Sequence, residues 1–145
     1  MKGVLVGRNV ILENGEIIDI LIALRDMKEN KIEKIIIGNK EYEYEDLLEF
    51  LKNNMKNIYE EYFIFDKLIS KGYYAGAGFK FGALFRVYDK FDDPNKTHSK
   101  WILYILKGSI SAGDLSSKIR VAHSTKKKLI LYLDNKFLEV SWVKL

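Results

Sequence analysis

Trp101-Ile102-Leu103-Tyr104-Ile105-Leu106 is an apolar run of strand length, and Leu129-Ile130-Leu131-Tyr132-Leu133 is a second one. The second is apolar at every position, so both of its faces must be covered and it belongs inside a sheet. Between the two runs, Ser111 with Asp114 three residues on resembles a capping box, with Asp standing where Glu is commoner. Leu115, Ile119 and Ala122 then share one face of the predicted helix. Asp134-Asn135-Lys136 turns the chain and Phe137 to Val143 pairs back. Upstream, residues 89 to 98 read as a polar loop, and Phe79 to Tyr88 as one strand or two joined at Gly82. A helix is expected from about Met55 to Ser70, striped by Ile58, Tyr62, Phe65 and Ile69, with Gly72 where a left-handed glycine ends helices. Strand and helix periods alternate without a repeat, which predicts an α+β fold.

The front of the chain reads as a smaller unit. Val4 to Val6 and Asn9 to Leu12 are short strands, and Asn14-Gly15 is a turn. Ile17, Ile20, Leu21 and Leu24 fall at helical spacing, which predicts a helix over 16 to 28. Ile35-Ile36-Ile37, Gly38-Asn39 and Glu41 to Tyr44 form a predicted hairpin, because Gly-Asn is a common two-residue turn. Glu45 to Asn53 is a helix with Leu47, Leu48 and Leu51 inward. The expected organisation is a small N-terminal α+β domain, 1 to 57, followed by a domain with a mixed central sheet flanked by helices, 58 to 145.

Composition narrows the chemistry. With 48% hydrophobic and 30% charged residues, the 145-residue chain is globular rather than disordered. It has no cysteine, which removes disulfides, thiolate metal sites and cysteine nucleophiles together. Two histidines, His98 and His123, are too few for a multi-histidine metal site, so neither metal nor cofactor is expected. No apolar run approaches the ~18 residues of a membrane span, and Met1 to Val6 has no long leader-like segment. The expectation is a soluble, cytoplasmic protein without a membrane partner. The net charge is +4, and it is unevenly spread. Acids crowd residues 13 to 66, whereas residues 94 to 128 hold Asp114 as their one acid against eight lysines and arginines. The back half is the half that would meet a polyanion, although an uneven but uninvolved lysine surface fits the charges equally well.

Of the reactive groups left, three stand out. His98 ends the polar loop, and histidine is the side chain that titrates near neutral pH. Tyr88 ends the strand on the loop's other side, where a tyrosine is commonly a core or rim residue. Lys126-Lys127-Lys128 precede the apolar strand, and alternation turns Lys127 away from its neighbours. On charge alone, a solvated helix-to-strand junction accounts for the triple better than a site does.

Read together, the segments Gly78 to Tyr88, His98-Ser99-Lys100-Trp101, and Arg120-Val121-Ala122-His123-Ser124-Thr125-Lys126-Lys127-Lys128-Leu129 resemble the archaeal tRNA-splicing endonuclease family. The similarity covers residues 59 to 145, and Lys2 to Gly7 is similar to that family's usual opening. The resemblance implies a metal-independent RNase. It would cut precursor tRNA at the bulge–helix–bulge of exon–intron borders, leaving a 2′,3′-cyclic phosphate and a 5′-hydroxyl. The family's catalytic tyrosine, histidine and lysine fall on Tyr88, His98 and Lys127, the middle of the lysine triple; a register one residue off would move the last role to Lys126 or Lys128. The implied roles suit the residue types. Tyr88 would take the 2′-hydroxyl proton. A free phenol is only ~0.1% ionised at pH 7, and a neighbouring ammonium favours phenolate. His98 would protonate the leaving 5′-oxygen. Lys127 would hold the added charge on pentacoordinate phosphorus. For substrate binding, Arg120 matches one of two planar side chains that clamp a bulged base. Trp142 stands where the second is an arginine, and it is as well read as an ordinary buried residue. Lys100 and Lys126 are further candidates for RNA contact.

Two departures bear on the reading. Leu84 replaces a usual Asp. The turn at Asp134-Asn135-Lys136 is shorter than the family's acidic loop, which plugs a basic pocket on a neighbouring subunit. That favours a heterotetramer with a second, different endonuclease subunit, a homotetramer being the other arrangement. A non-catalytic structural subunit and an RNA-binding domain sharing the fold are the competing readings.

Overall fold

The computed structural model describes residues 1 to 78 and 83 to 140. The chain divides into two compact units, Met1–Lys67 and Leu68–Leu145.

In the first unit, β1 (Lys2–Val6), β2 (Asn9–Leu12) and β3 (Ile17–Asp19) lead into α1 (Ile20–Lys28). Then come β4 (Lys34–Ile37), β5 (Lys40–Tyr42), α2 (Tyr44–Asn54) and α3 (Lys56–Ser70), whose last turn reaches into the second unit. The sheet runs β3-β2-β1-β4-β5, antiparallel except where β1 lies parallel to β4. The helix expected over 16 to 28 is shorter than its period suggested. Ile17 and Ile18 pair with β2, and the Asp19 carboxylate accepts the Leu21 amide at 2.8 Å, starting the helix one residue later. β-branched residues gain more from a ladder than from a first helical turn. The hairpin at Gly38-Asn39 forms as expected, with Gly38 at φ +61 supplying the left-handed residue of the turn. Ile20, Leu24, Ile35, Leu47, Leu51 and Tyr62 are sealed from solvent and make this unit's core. The inward residues of α3 differ in part from the expected stripe: Ile64 and Leu68 join Ile58, Tyr62 and Phe65, while Ile69 is half-buried.

In the second unit, β6 (Tyr74–Ala77), β7 (Phe85–Tyr88), β8 (Trp101–Ile105), α4 (Ala112–Ser124), β9 (Lys128–Leu133) and β10 (Lys136–Val140) follow in order. The sheet is β10-β9-β8-β7-β6, antiparallel except for the parallel pair β8–β9 that α4 connects. Both units are therefore mixed sheets with helices, and the fold is α+β. The strand expected over Phe79 to Tyr88 is ordered as β7 from Phe85; residues 79 to 82 lie outside the described residues. β6 was not expected, because Gly76 and Gly78 dilute the strand signal that Tyr74, Ala75 and Ala77 carry. β9 is interior, as its two apolar faces require, and β8 is the middle strand. Ser111 caps α4 by accepting the Asp114 amide at 3.1 Å. The face of α4 holding Leu115, Ile119 and Ala122 covers Ile102, Tyr104, Leu129 and Leu131. Among the described residues no helix is long and apolar enough to cross a membrane.

Candidate active site

Strand register assembles the site. Val87 pairs with Trp101, and Trp101 pairs with Lys128. One step further along the same ladders, the Lys100 amide donates to Val87 O and the Lys128 amide to Lys100 O, both at 2.9 Å. Tyr88, Lys100 and Lys127 therefore share a row across one end of β7, β8 and β9. Residues opposite each other in a ladder point to the same face. At about 4.8 Å per strand, the Cα atoms of Tyr88 and Lys127 stand roughly 10 Å apart.

A helix terminus aims Lys127. The Lys127 amide donates to Ala122 O at 2.7 Å, and the Lys126 amide to His123 O at 3.1 Å. This pair of bonds is the Schellman motif, with Lys126 as its left-handed residue at φ +58. The motif reverses the chain so that consecutive lysines diverge. Lys126 is exposed. Lys128 is exposed too and lies 3.8 Å from the Glu139 carboxylate on the opposite sheet face. Lys127 is half-buried, and its Nζ donates to Ser99 O at 2.9 Å. It lines a cleft of about 180 Å³ with Ile119, Ala122, His123, Lys128, Leu129 and Val140.

His98 arrives on the loop between β7 and β8 and is exposed. The bond from Lys127 to Ser99 O ties the ammonium to the end of this loop, one residue after His98. The loop is closed at its base by Asp89 and Lys100, 3.1 Å apart. Lys100 and the Lys90 amide together hold the Asp89 carboxyl below the usual carboxylate range. Asp93 accepts the Asn95 amide at 2.9 Å. Asp89 and Asp93 thus shape the loop, as turn-forming aspartates do. Among the described residues no three carboxylates or imidazoles gather as metal ligands would.

Tyr88 is buried, only 5% exposed, and meets the ring of Tyr74 edge-on at 5.8 Å between centroids. Arg120 is exposed on α4, one residue past the core-facing Ile119. Lys100, expected to meet RNA, has its ammonium on Asp89 and over the Trp101 ring at 4.8 Å. Trp142 lies outside the described residues. The site thus gathers Tyr88, Lys127 and the His98 loop at one end of the sheet, with Arg120 apart on the helix. Sequence reasoning missed Tyr74, the Asp89–Lys100 closure and Ser99, a buried serine whose Oγ has no hydrogen-bond partner among the described residues. Each emerges from register or burial. No local residue pattern signals them.

The chain is similar to known proteins. Residues 58 to 142 match the family model described as "tRNA intron endonuclease, catalytic C-terminal domain". The chain is 42% identical over 112 residues to a tRNA-splicing endonuclease of Nanoarchaeum equitans, covering 66% of this chain and 71% of that protein. It is 28% identical over 138 residues to the tRNA-splicing endonuclease of Thermococcus onnurineus, covering 90% and 79% respectively. A match to the protein of that name from Methanothermobacter thermautotrophicus is 34% identical over 96 residues, 61% of this chain and 56% of the other. With the family's catalytic domain matched across more than half its length, and with a phenol, an ammonium and an imidazole loop brought to one end of that domain's sheet, the chain belongs to the tRNA intron endonuclease family.

Proposed function

We propose that the chain is a catalytic subunit that cleaves precursor tRNA at bulge–helix–bulge junctions without a metal ion, with residues 58 to 145 as the catalytic domain. The observation that carries this reading is the hydrogen bond from Lys127, on the row that also holds Tyr88, to the carbonyl of Ser99, the residue after His98. Tyr88 accepts the proton of the ribose 2′-hydroxyl as its oxygen attacks the adjacent phosphorus. His98 gives a proton to the 5′-oxygen as that P–O bond breaks. Lys127 faces the charge that builds on the phosphoryl oxygens, where a cation already held in position needs no reorganisation. The products are a 2′,3′-cyclic phosphate and a 5′-hydroxyl. Arg120 and Trp142 clamp a bulged base, and Lys126, exposed just past the end of α4, contacts the phosphate backbone. The arrangement argues against a purely structural subunit, which needs no such convergence.

The test is cleavage of a minimal bulge–helix–bulge RNA in excess EDTA, with end-group analysis. Product with 2′,3′-cyclic phosphate ends is expected, and a 2′-deoxy residue at the scissile position should abolish cutting while binding persists. Normal cutting of the deoxy RNA would reject the attack. Binding without any cutting would favour the structural or RNA-binding alternatives.

Assembly follows from the β9–β10 turn. Asp134 and Asn135, at φ +48 and +63, make a two-residue turn with one carboxylate. Such a turn is a poor acidic plug, which supports a heterotetramer completed by a second endonuclease subunit. Light scattering on the purified chain tests this: an active homotetramer would overturn it.

A further inference from the structure

We propose that Tyr74 is a substrate-binding residue, the stacking platform for the base of the nucleotide whose 2′-hydroxyl attacks. The inference rests on the catalytic reading above and extends it to a residue outside the triad. Tyr74 pairs directly with Tyr88, so the row at the end of the sheet runs Tyr74, Tyr88, Lys100, Lys127 over four strands. β6 is the edge strand, and Tyr74 lies on the side of Tyr88 away from Lys127. Chemistry fixes what must lie there. If Tyr88 takes the 2′-hydroxyl proton and Lys127 faces the phosphate, the ribose sits against Tyr88 and its phosphate points toward Lys127. The base of that nucleotide is then directed outward along the row, over β6.

Burial fits this assignment. Tyr88 is only 5% exposed and has its ring committed to packing, whereas Tyr74 is 46% exposed. The two rings meet at 67°, an edge contact that orients Tyr74 and leaves ring area open to solvent. A single exposed tyrosine is ordinary on a protein surface. This one is registered against the general base. Two rows along, on the same face, Arg86 pairs with Gly76, and its side chain lies across the bare glycine, with Nε donating to Ala77 O at 2.7 Å. An aromatic ring and a guanidinium on one face of the same strand pair combine the features that hold single-stranded nucleotides, since every base has a π-face and every nucleotide a phosphate.

The experiment uses the full chain, with its partner subunit where cleavage requires one, and a bulge–helix–bulge RNA carrying a 2′-deoxy residue at the attacking position. Affinity is measured for that RNA with a normal base and with an abasic site at the same residue. Tyr74→Leu should weaken binding of the normal RNA by about 5- to 150-fold, the range for losing one stacked base. Tyr74→Phe should bind as the unmodified chain does. On abasic RNA, Leu and Tyr should be equal. With cleavable RNA, the loss should appear in KM. Equal affinity of Tyr74→Leu and the parent for the normal RNA, or an equal penalty on abasic RNA, overturns the proposal. If Tyr74→Leu does not fold, the abasic RNA on the parent chain decides alone: undiminished binding overturns the proposal. Should the parent chain fail to cut ribose RNA at all, the catalytic reading falls and takes this assignment with it. Normal cutting with an indifferent Tyr74 removes only the platform.

Discussion

Lys126→Gly should stabilise the protein even though it deletes a side chain beside Lys127, the proposed catalytic lysine. Lys126 is the left-handed residue that ends α4, at φ +58. A residue with a Cβ gives up about 1 to 2 kcal/mol in that conformation. Glycine removes the clash and returns about 0.4 to 1 kcal/mol through the greater freedom of the unfolded chain. The expected net gain is about 0.5 to 1 kcal/mol. For a chain of this length that raises the melting temperature by roughly 1 to 4 °C. The same motif occurs at the end of α3 with glycine in place. Gly72 lies at φ +93, its amide donates to Ile69 O at 2.9 Å, and the Tyr73 amide donates to Leu68 O at 3.1 Å. Lys126→Ala is the control, because it removes the same charge and keeps the Cβ. Melting curves by circular dichroism compare the three proteins, and RNA cleavage checks that Lys127 keeps its aim. If Lys126→Gly melts at or below the parent, or if Lys126→Ala gains as much, the backbone argument fails.

Three further outcomes are expected. Lys127→Ala should cut the rate of bulge–helix–bulge cleavage by about 10²- to 10³-fold, the cost of losing one positioned charge-stabilising donor, while Lys128→Ala stays within a few-fold in the same assay; comparable losses in both would move the role off the middle lysine. Asp89→Asn releases the Lys100 ammonium from its partner at 3.1 Å and loosens the base of the His98 loop. RNA binding should tighten and grow more salt-dependent while single-turnover cleavage slows, and an unchanged salt slope would refute the release. Glu41 bridges Lys2 at 3.1 Å and Lys34 at 3.4 Å, and these partners hold its carboxyl below the usual range. A carboxyl depressed on folding adds stability above its unfolded value, ~4.3, which is lost as pH falls through the folded one. Glu41→Gln should therefore melt lower than the parent at pH 7 and alike near pH 2, as urea midpoints across that range would show.

Much of the secondary structure was legible because its causes are local. The apolar runs now seen as β8 and β9, the Ser111 cap, Gly72 and the Gly38-Asn39 turn each state their conformation within a few residues. Reading failed where two local signals competed. Ile17, Ile20, Leu21 and Leu24 satisfy a helical period, yet Asp19 starts the helix after a short strand. In β6 the glycines conceal a strand that exists because β7 offers it a partner.

The site divides in the same way. Residue types and their order along the chain suffice to nominate Tyr88, His98 and Lys127, because acid–base chemistry on RNA needs groups of these kinds and the resemblance supplies their spacing. Sequence determined the family, the α+β class and the nominees. Only the tertiary structure decided that Tyr88 and Lys127 share a row, that Lys127 among three lysines reaches the His98 loop, that Lys100 turns to Asp89, and that Tyr74 borders Tyr88. The physical reason is that these contacts join residues 11 to 28 positions apart, and no window of sequence short enough to read contains both ends of such a contact.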